Sequence, residues 1–593
     1  MFALCKDCVK RAPRTSLAGA VDASATILLL VLSADSAGPP LAGARPSDPI
    51  QLRVADTCRT GPPNASACEI AAWSPASARL LVTSASAGLV PVAVAGDARL
   101  TPSATVALGS LSSVAVHGDI VAVCRGASDS SSTGEVLLLD RDLKQVATVS
   151  VGHGPDMLTF TPDGRMLLVA NEAEPTEDGS VDHPGTVSII DLSKGASEPS
   201  VRQVTFESFE PLARALATRG LHAPMPGRTM CQQLEPEYIA VSPDGRWAFV
   251  SMQEANAIAI VDVANARCIA IEPLGLKDFG AAGVGLDPSD KDGGPAIARW
   301  PIHGLYQPDT LACFMHGDEL FVASANEGEP RDHAFWSEVC RISELRHRDG
   351  DATPALDPTA FPAEAPEGAD PVDAMRNRAR IVASNGAGRL QVSRAAGDTD
   401  GDGDHDRLIA FGGRSASLWR VRRDDAGTPQ GLELAWDSGS SIERTVLDRM
   451  PAAFNADHDR GNSADARSDV RGPEPEGLAV ADIAGRRILF VGLERCGGVI
   501  AWDISDPQAP TLATYANRRD PSVDAAASAA ASVDAAKRPA DSGSASRDPG
   551  DLGPEGILVI PASASPSRTP LLVLCNEVSG TLTVLEISGP HAH

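Results

Sequence analysis

The chain has 593 residues, with 51 Lys and Arg against 78 Asp and Glu, a formal charge of −27 and a pI near 4.8. A surface that acidic repels phosphate backbones, which excludes general nucleic-acid binding and suits cations instead. With 53 Gly, 45 Pro, 4% aromatic and 43% hydrophobic residues, the composition is that of a globular chain rich in turns, hence of many short strands.

No apolar run reaches the roughly 20 residues that span a bilayer, so no transmembrane span is expected. Near the N-terminus, Ile27 to Leu32 (ILLLVL) follows Lys6, Lys10, Arg11 and Arg14 and precedes Ala34 to Ala37. That order makes residues 1–49 a leader or signal-like segment, although Asp7 and Asp22 depart from the pattern and a cytosolic leader is the alternative. Of the eleven cysteines, Cys5 and Cys8 fall in this leader. The others lack zinc-site spacing; Cys58 with Cys68 and Cys313 with Cys340 are pairs that an oxidising compartment could bridge, and most read as buried small apolar residues.

A repeat occupies the rest. Pro155-Asp156 opens an alternating run that turns at PDG and ends at Glu172, and GTVSIIDL follows from Gly185. Glu235-Pro236-Glu237 leads to Glu254, Pro308-Asp309 to Glu327, Glu474-Pro475-Glu476 to Glu494 and Pro554-Glu555 to Glu577. Weaker copies lie at Glu69 to Val94, Ser113 to Leu139 and Arg407 to Trp436. Period-2 alternation with three or four strands per unit predicts an all-β fold, a seven- or eight-bladed β-propeller with short helical and disordered insertions. Residues 50–593 form a single propeller in this reading. The insertions are 197–230, with a helix near Glu207 to Thr218, 341–385 as a surface excursion, and the Ala/Ser/Asp-rich, disordered 518–550. Only Ser588 to His593 follow the last strand, so no C-terminal anchor is expected.

Each first strand starts, and each second strand ends, at the same mouth of such a ring. The repeated acids occupy those two positions, which predicts a ring of carboxylates that needs neutralising. Arg125, Arg414, Arg495, Arg331 and Arg471 are candidate partners, and calcium or another divalent metal on Glu172, Glu254, Glu327, Glu494 and Glu577 is the other answer. Hydrogen bonding of each acid to the next blade's backbone is the competing structural reading. A separate loop, Asp398-Thr-Asp400-Gly-Asp402-Gly-Asp404-His-Asp406, has the alternating acids and glycine bends of a calcium loop, with Ile409 where a closing Glu would stand. Neither G-x-S-x-G nor H-E-x-x-H occurs. The histidines are scattered, and His303, just before a blade start, is the one candidate for the mouth.

The segments VGHGPDMLTFTPDGRMLLVANEAEP, LEPEYIAVSPDGRWAFVSMQEANAIAIVD, WPIHGLYQPD, ANEGEPRDH, RSDVRGPEPEG and CNEVSGTLTVLEI resemble the choice-of-anchor I domain family, which includes mesenchyme-specific cell surface glycoprotein-like proteins. The resemblance runs from about Glu69 to Ile587 and implies an exported or surface β-propeller. Some relatives carry alkaline phosphatase or phytase/esterase-like labels. Thr83-Ser84-Ala85 lacks the Asn that the family tends to place there, Ala416 stands where an aromatic is favoured, and the Ala/Ser stretch at 521–546 is additional.

Two functions are compatible with these residues. The first is a secreted, periplasmic or envelope-associated, non-catalytic propeller, monomeric, that binds calcium and an extracellular or envelope ligand at its acidic mouth. The second is a metal-dependent phosphoester hydrolase with Arg414 and Arg495 on the phosphate.

Overall fold

A computed structural model describes residues 50–85, 88–127, 131–347, 354–364, 370–525 and 548–589. The signal-like segment and most of the Ala/Ser/Asp-rich stretch lie outside the described residues. Among those described, seven antiparallel sheets have four strands each. Six follow chain order, opening at Ala71–Ser74, Val114–His117, Pro155–Phe160, Pro236–Val241, Leu311–His316 and Pro475–Ile483. The seventh joins Pro554–Ile560, Leu571–Asn576 and Thr581–Ser588 to Gln51–Arg59, so the N-terminal strand supplies the outer edge of the last sheet.

Alternation in the second strands explains how the sheets close on one another. In Leu571–Asn576, Leu571, Val573 and Cys575 pack with Leu80, Val82 and Val90 of the first sheet, while Leu572 and Leu574 pack with Ile488 and Phe490 of the sixth. A strand buried on both faces reads as a continuous apolar run, which is why these second strands do. Equivalent clusters fill the other sheet-to-sheet interfaces, from Leu81 against Val123 round to Phe321 against Leu489. Each fully buried Leu or Val contributes about 1.5–3 kcal/mol. Closure leaves no central sheet edge open.

Two of the eight sequence units turn out to be one. The fifth sheet takes its first two strands from Leu311–His316 and Glu319–Asn326, and its last two from Ser415–Arg423 and Pro429–Asp437. The chain leaves and re-enters at Gly328 and Gly412, with φ of +101° and +77°. A Cβ on Gly328 would lie 2.3 Å from the Gly412 Cα, so only glycine allows the two crossing segments to touch.

The residues between those strands are no mere surface excursion. Val339–Arg341, Gln391–Ser393 and Ile409–Ala410 join Leu276–Asp278 and His303–Leu305 in a five-stranded sheet. That sheet has its own core of Phe279, Trp300, Ile342, Phe361, Ile381 and Leu390. In the earlier insertion, Glu207–Leu212 is a 3-10 turn leading into the short helix Ala213–Ala217, whose Leu216 packs into the interface of the third and fourth sheets. The nine described cysteines are all free, so neither Cys58–Cys68 nor Cys313–Cys340 is bridged. Among the described residues no helix is long and apolar enough to cross a membrane.

Candidate functional site

The acids converge because of a recurring irregularity in the first strands. Pro155, Pro236, Pro475 and Pro554 pair with Asn171, Met252, Leu493 and Asn576, and the register then slips before Leu158, Ile239, Leu478 and Ile557. Asp156, Glu237, Glu476 and Glu555 therefore sit inside β-bulges, which re-aim a side chain. Proline at the strand start tolerates the missing N–H. The glycines after two of these acids let neighbouring first strands touch: a Cβ on Gly477 would lie 1.7 Å from the Glu555 carbonyl oxygen.

Asn-Glu at the end of the second strand divides its labour. Asn171, Asn326 and Asn576 are fully buried and tie the second strand to the third, Asn171 through Ser188 Oγ at 3.0 Å and Asn326 through Ser417 Oγ at 2.7 Å. The Glu that follows each Asn stands among other ionisable side chains, Glu172 with Glu237 and Glu254, Glu327 with Glu474 and Glu494, and Glu577 with His458 and Glu494.

The carboxylates feel one another across the ring. Burial, reinforced by Glu174, pushes Asp156 up to about 6. Burial with Asp156 and Glu494 brings Asp309 to about 7, and burial with Glu577 and Asp156 brings Glu69 to about 8. Glu172, Glu237, Glu254, Glu476 and Glu555 are all driven well above the usual carboxylate range, first by burial, then by an acid of the same sheet or its flanking segment, and after that, in most of them, by acids of other sheets. One oxygen of each of Glu237, Glu254, Glu476 and Glu555 is buried with no hydrogen-bond partner. The neighbouring blade's backbone does not take those oxygens, contrary to the competing structural reading. Between the first strands lies a cavity of about 250 Å³, lined by Ile70, Val114, Met157, Tyr238, Leu478 and Ile557. Asp156, Asp309 and Glu555 line a smaller one of about 60 Å³ beside Ser112 and Tyr238.

Arginines answer the acids most densely beside the sixth sheet. Arg471 pairs with Glu474 at 3.0 Å and with Glu329, and Arg495 pairs with Glu474 at 3.1 Å and Glu494 at 3.3 Å. Arg467 donates to Glu474 at 3.1 Å, and Gln253 donates to Glu327 at 2.8 Å. Against the burial that would raise it, Arg471, Arg495 and Arg467 hold the Glu474 carboxyl at about 2. His458, one of the scattered histidines, sits 3.1 Å from Glu494 and within metal-ligand spacing of Glu494 and Glu577. Beside the fourth sheet, Arg331, from the segment leaving the fifth, pairs with Glu235 at 2.7 Å. In both Glu-Pro-Glu copies the acid before proline takes arginine, while the acid after it, Glu237 or Glu476, keeps an unpartnered oxygen.

Two expected ligand-binding residues lie elsewhere. Arg414 is 2% exposed, and its guanidinium is committed to Glu443, to Asp287 O at 3.0 Å, to Ser468 O at 2.8 Å and to Val470 O at 2.9 Å. It locks the inserted residues to the fifth and sixth sheets and is not free to hold an anion. His303 belongs to the inserted five-stranded sheet, opposite Asp278 in register. Burial lowers its pKa, and its other charged neighbours are Arg407 and Arg376. Arg125 closes the second strand of the second sheet on Glu135 at 3.0 Å and Leu108 O at 3.1 Å.

The Asp398–Asp406 loop is folded by its own acids. Asp398 accepts from Gly401 N at 2.7 Å and Gly403 N at 3.2 Å, and Asp406 accepts from Thr399 N at 2.6 Å. The partner that sequence missed is Asp357, brought alongside by the bridge Leu356 to His405. Asp357, Asp404 and Asp406 present oxygens within 4.8 Å of one another, and Asp404 Oδ1 is buried without a partner. Asp400 and Asp402 accept only from backbone within the loop, at 3.2 and 3.1 Å.

The family model of the choice-of-anchor I domain matches residues 69–507. The mesenchyme-specific cell surface glycoprotein of Strongylocentrotus purpuratus is 28% identical over 350 residues, 54% of this chain and 42% of that protein. Gigasin-3a of Magallana gigas is 31% identical over 206 residues, 34% of this chain and 65% of that protein. The chain thus spans about half the length of the curated relatives it matches. Among solved structures, the β-propeller domain of Myceliophteria thermophila Cps50 (Swd1) aligns at 9% identity and a TM-score of 0.42, covering 91% of this chain and 100% of that one. The chain is a β-propeller of the choice-of-anchor I domain family.

Proposed function

We propose that this protein is a surface-associated or exported binding propeller whose acidic mouth takes cations and a cation-bearing partner, with calcium also held by the Asp398–Asp406 loop. The observation that carries the reading is the excess of converging buried carboxylates over arginines, with oxygens of Glu237, Glu254, Glu476 and Glu555 left unpartnered. Buried like charges stand only when protons or cations neutralise them. Oxygen-only donors favour hard divalent cations, calcium foremost. The cell-surface glycoprotein among the relatives supports the extracellular setting.

The hydrolase alternative finds less support. A phosphoryl clamp needs free guanidinium groups, whereas Arg414 is enclosed and Arg495 is engaged by Glu474, Glu494 and His458.

Immobilised polylysine and polyglutamate distinguish the outcomes. The chain should be retained by polylysine at low salt, and the double variant Glu327→Gln/Glu494→Gln should be retained less. Equal retention of both proteins would refute the mouth as the binding surface. Hydrolysis of a chromogenic phosphate monoester that depends on calcium and is lost in the double variant would replace binding with catalysis.

A further inference from the structure

The arginine-poor arc of the mouth contains a pocket with the makings of a metal site. Glu172 follows the second strand of the third sheet, Glu237 lies in the bulge of the fourth, and Glu254 follows the fourth sheet's second strand. Their carboxylate oxygens come within 4.8 Å of one another. Glu237 and Glu254 are 9% and 7% exposed, and the Oε2 atom of each is buried with no hydrogen-bond partner. Arg331, the guanidinium that draws Glu254 down, is itself held by Glu235 Oε2 and Gln233 O, each at 2.7 Å. The group as it stands, Glu172, Glu237 and Glu254, is made of carboxylates alone.

The geometry points to one hard divalent cation, of the calcium class, bound by Glu172, Glu237 and Glu254 and bridging the third and fourth sheets. This rests on the reading of the mouth as a cation-binding surface and assigns it a position. A cation there converts mutual repulsion into a cross-link between two sheets. At the corresponding acids of the fifth and sixth sheets, Glu327, Glu476 and Glu494, an arginine already stands beside two of the three, Arg471 at 3.7 Å from Glu327 and Arg495 at 3.3 Å from Glu494. The two arcs are thus neutralised by different means, one by a side chain and one by an ion.

The test is calcium titration of the full chain by calorimetry after chelation, with thermal unfolding in parallel. Glu237→Gln and Glu254→Gln should each lose one bound calcium per chain, and Asp404→Asn should keep that calcium. In chelator the two Gln variants should melt higher than the unaltered protein, because a repelling charge is gone. In calcium they should melt lower. That reversal of sign is not expected of a residue that only packs. Unchanged stoichiometry and affinity in both Gln variants would overturn the site while leaving polylysine retention, and so the mouth reading, intact. Calcium bound only where Asp404→Asn removes it would also overturn the site, leaving protons to neutralise the three acids. A chain that binds no calcium at all would overturn both the site and the loop.

Discussion

The fourth and sixth sheets begin with the same three residues, Glu-Pro-Glu, and end their second strands with Glu, yet they build different electrostatic environments. At the sixth, Arg467, Arg471 and Arg495 converge on Glu474, which is fully buried and held at about 2. At the fourth, Arg331 pairs with Glu235 and draws Glu254 down as well, while Glu237 and Glu254 stand with Glu172. The repeat therefore specifies where carboxylates go, and residues outside the repeat decide what charge state they can hold. Arg467 and Arg471 come from the segment leading into the sixth sheet, and Arg331 from the segment leaving the fifth.

Removing the arginine side of that contrast should have the largest effect. Arg471→Ala strands Glu329 and weakens the clamp on Glu474, and breaking a buried pair costs about 3–5 kcal/mol. Urea unfolding would measure it, and a loss under about 1 kcal/mol would mean that Arg467 and Arg495 suffice for Glu474. Next is Gly477→Ala, which forces a methyl against the Glu555 carbonyl and should cost about 1–3 kcal/mol by overpacking. An unchanged unfolding midpoint would show that the first strands do not need their close approach.

Removing a repelling charge should act in the opposite direction. Glu476→Gln in chelator is expected to stabilise by about 1 kcal/mol, since burial first and then Glu494, Glu327 and Glu555 raise its carboxyl. Destabilisation in chelator would show that Glu476 makes a favourable contact instead. The pH profile follows the same signs. Carboxyls held above their ordinary values stabilise while protonated, and that contribution disappears as pH rises, through about 6 for Asp156, 7 for Asp309 and 8 for Glu69. Glu474 does the reverse, its contribution fading as pH falls from 4.5 towards 2. Thermal midpoints of chelated protein should therefore decline from mildly acid pH towards pH 8, and calcium should flatten that decline. The smallest effect is expected at the separate loop. Asp404→Asn should change chelated stability by less than about 0.5 kcal/mol while abolishing the calcium response of that loop. A large loss without calcium would make Asp404 a structural residue only.

Much of this was legible in the residues. PDG turns, alternating runs and acids at fixed places mark strands and locate the mouth, because a period of two fixes which side chains share a face. Asp357 was not legible, since it comes from a Pro- and Ala-rich stretch and joins the loop through one bridge, Leu356 to His405. Arg414 shows the opposite failure. Its place near a strand end suggested the mouth, but its left-handed backbone, φ +50°, accompanies a guanidinium enclosed by carbonyl groups.

By itself, then, the sequence determined the repeat, the strands and the recurrence of carboxylates at one end of them, all of which follow from local patterning. Tertiary structure decided that the interrupted units at Pro308 and Arg407 are one sheet, and that the N-terminal strand closes the ring. It also decided which acids have an arginine and which do not. Pairing across hundreds of residues depends on ring closure and burial, and neither is written in any short window of the chain.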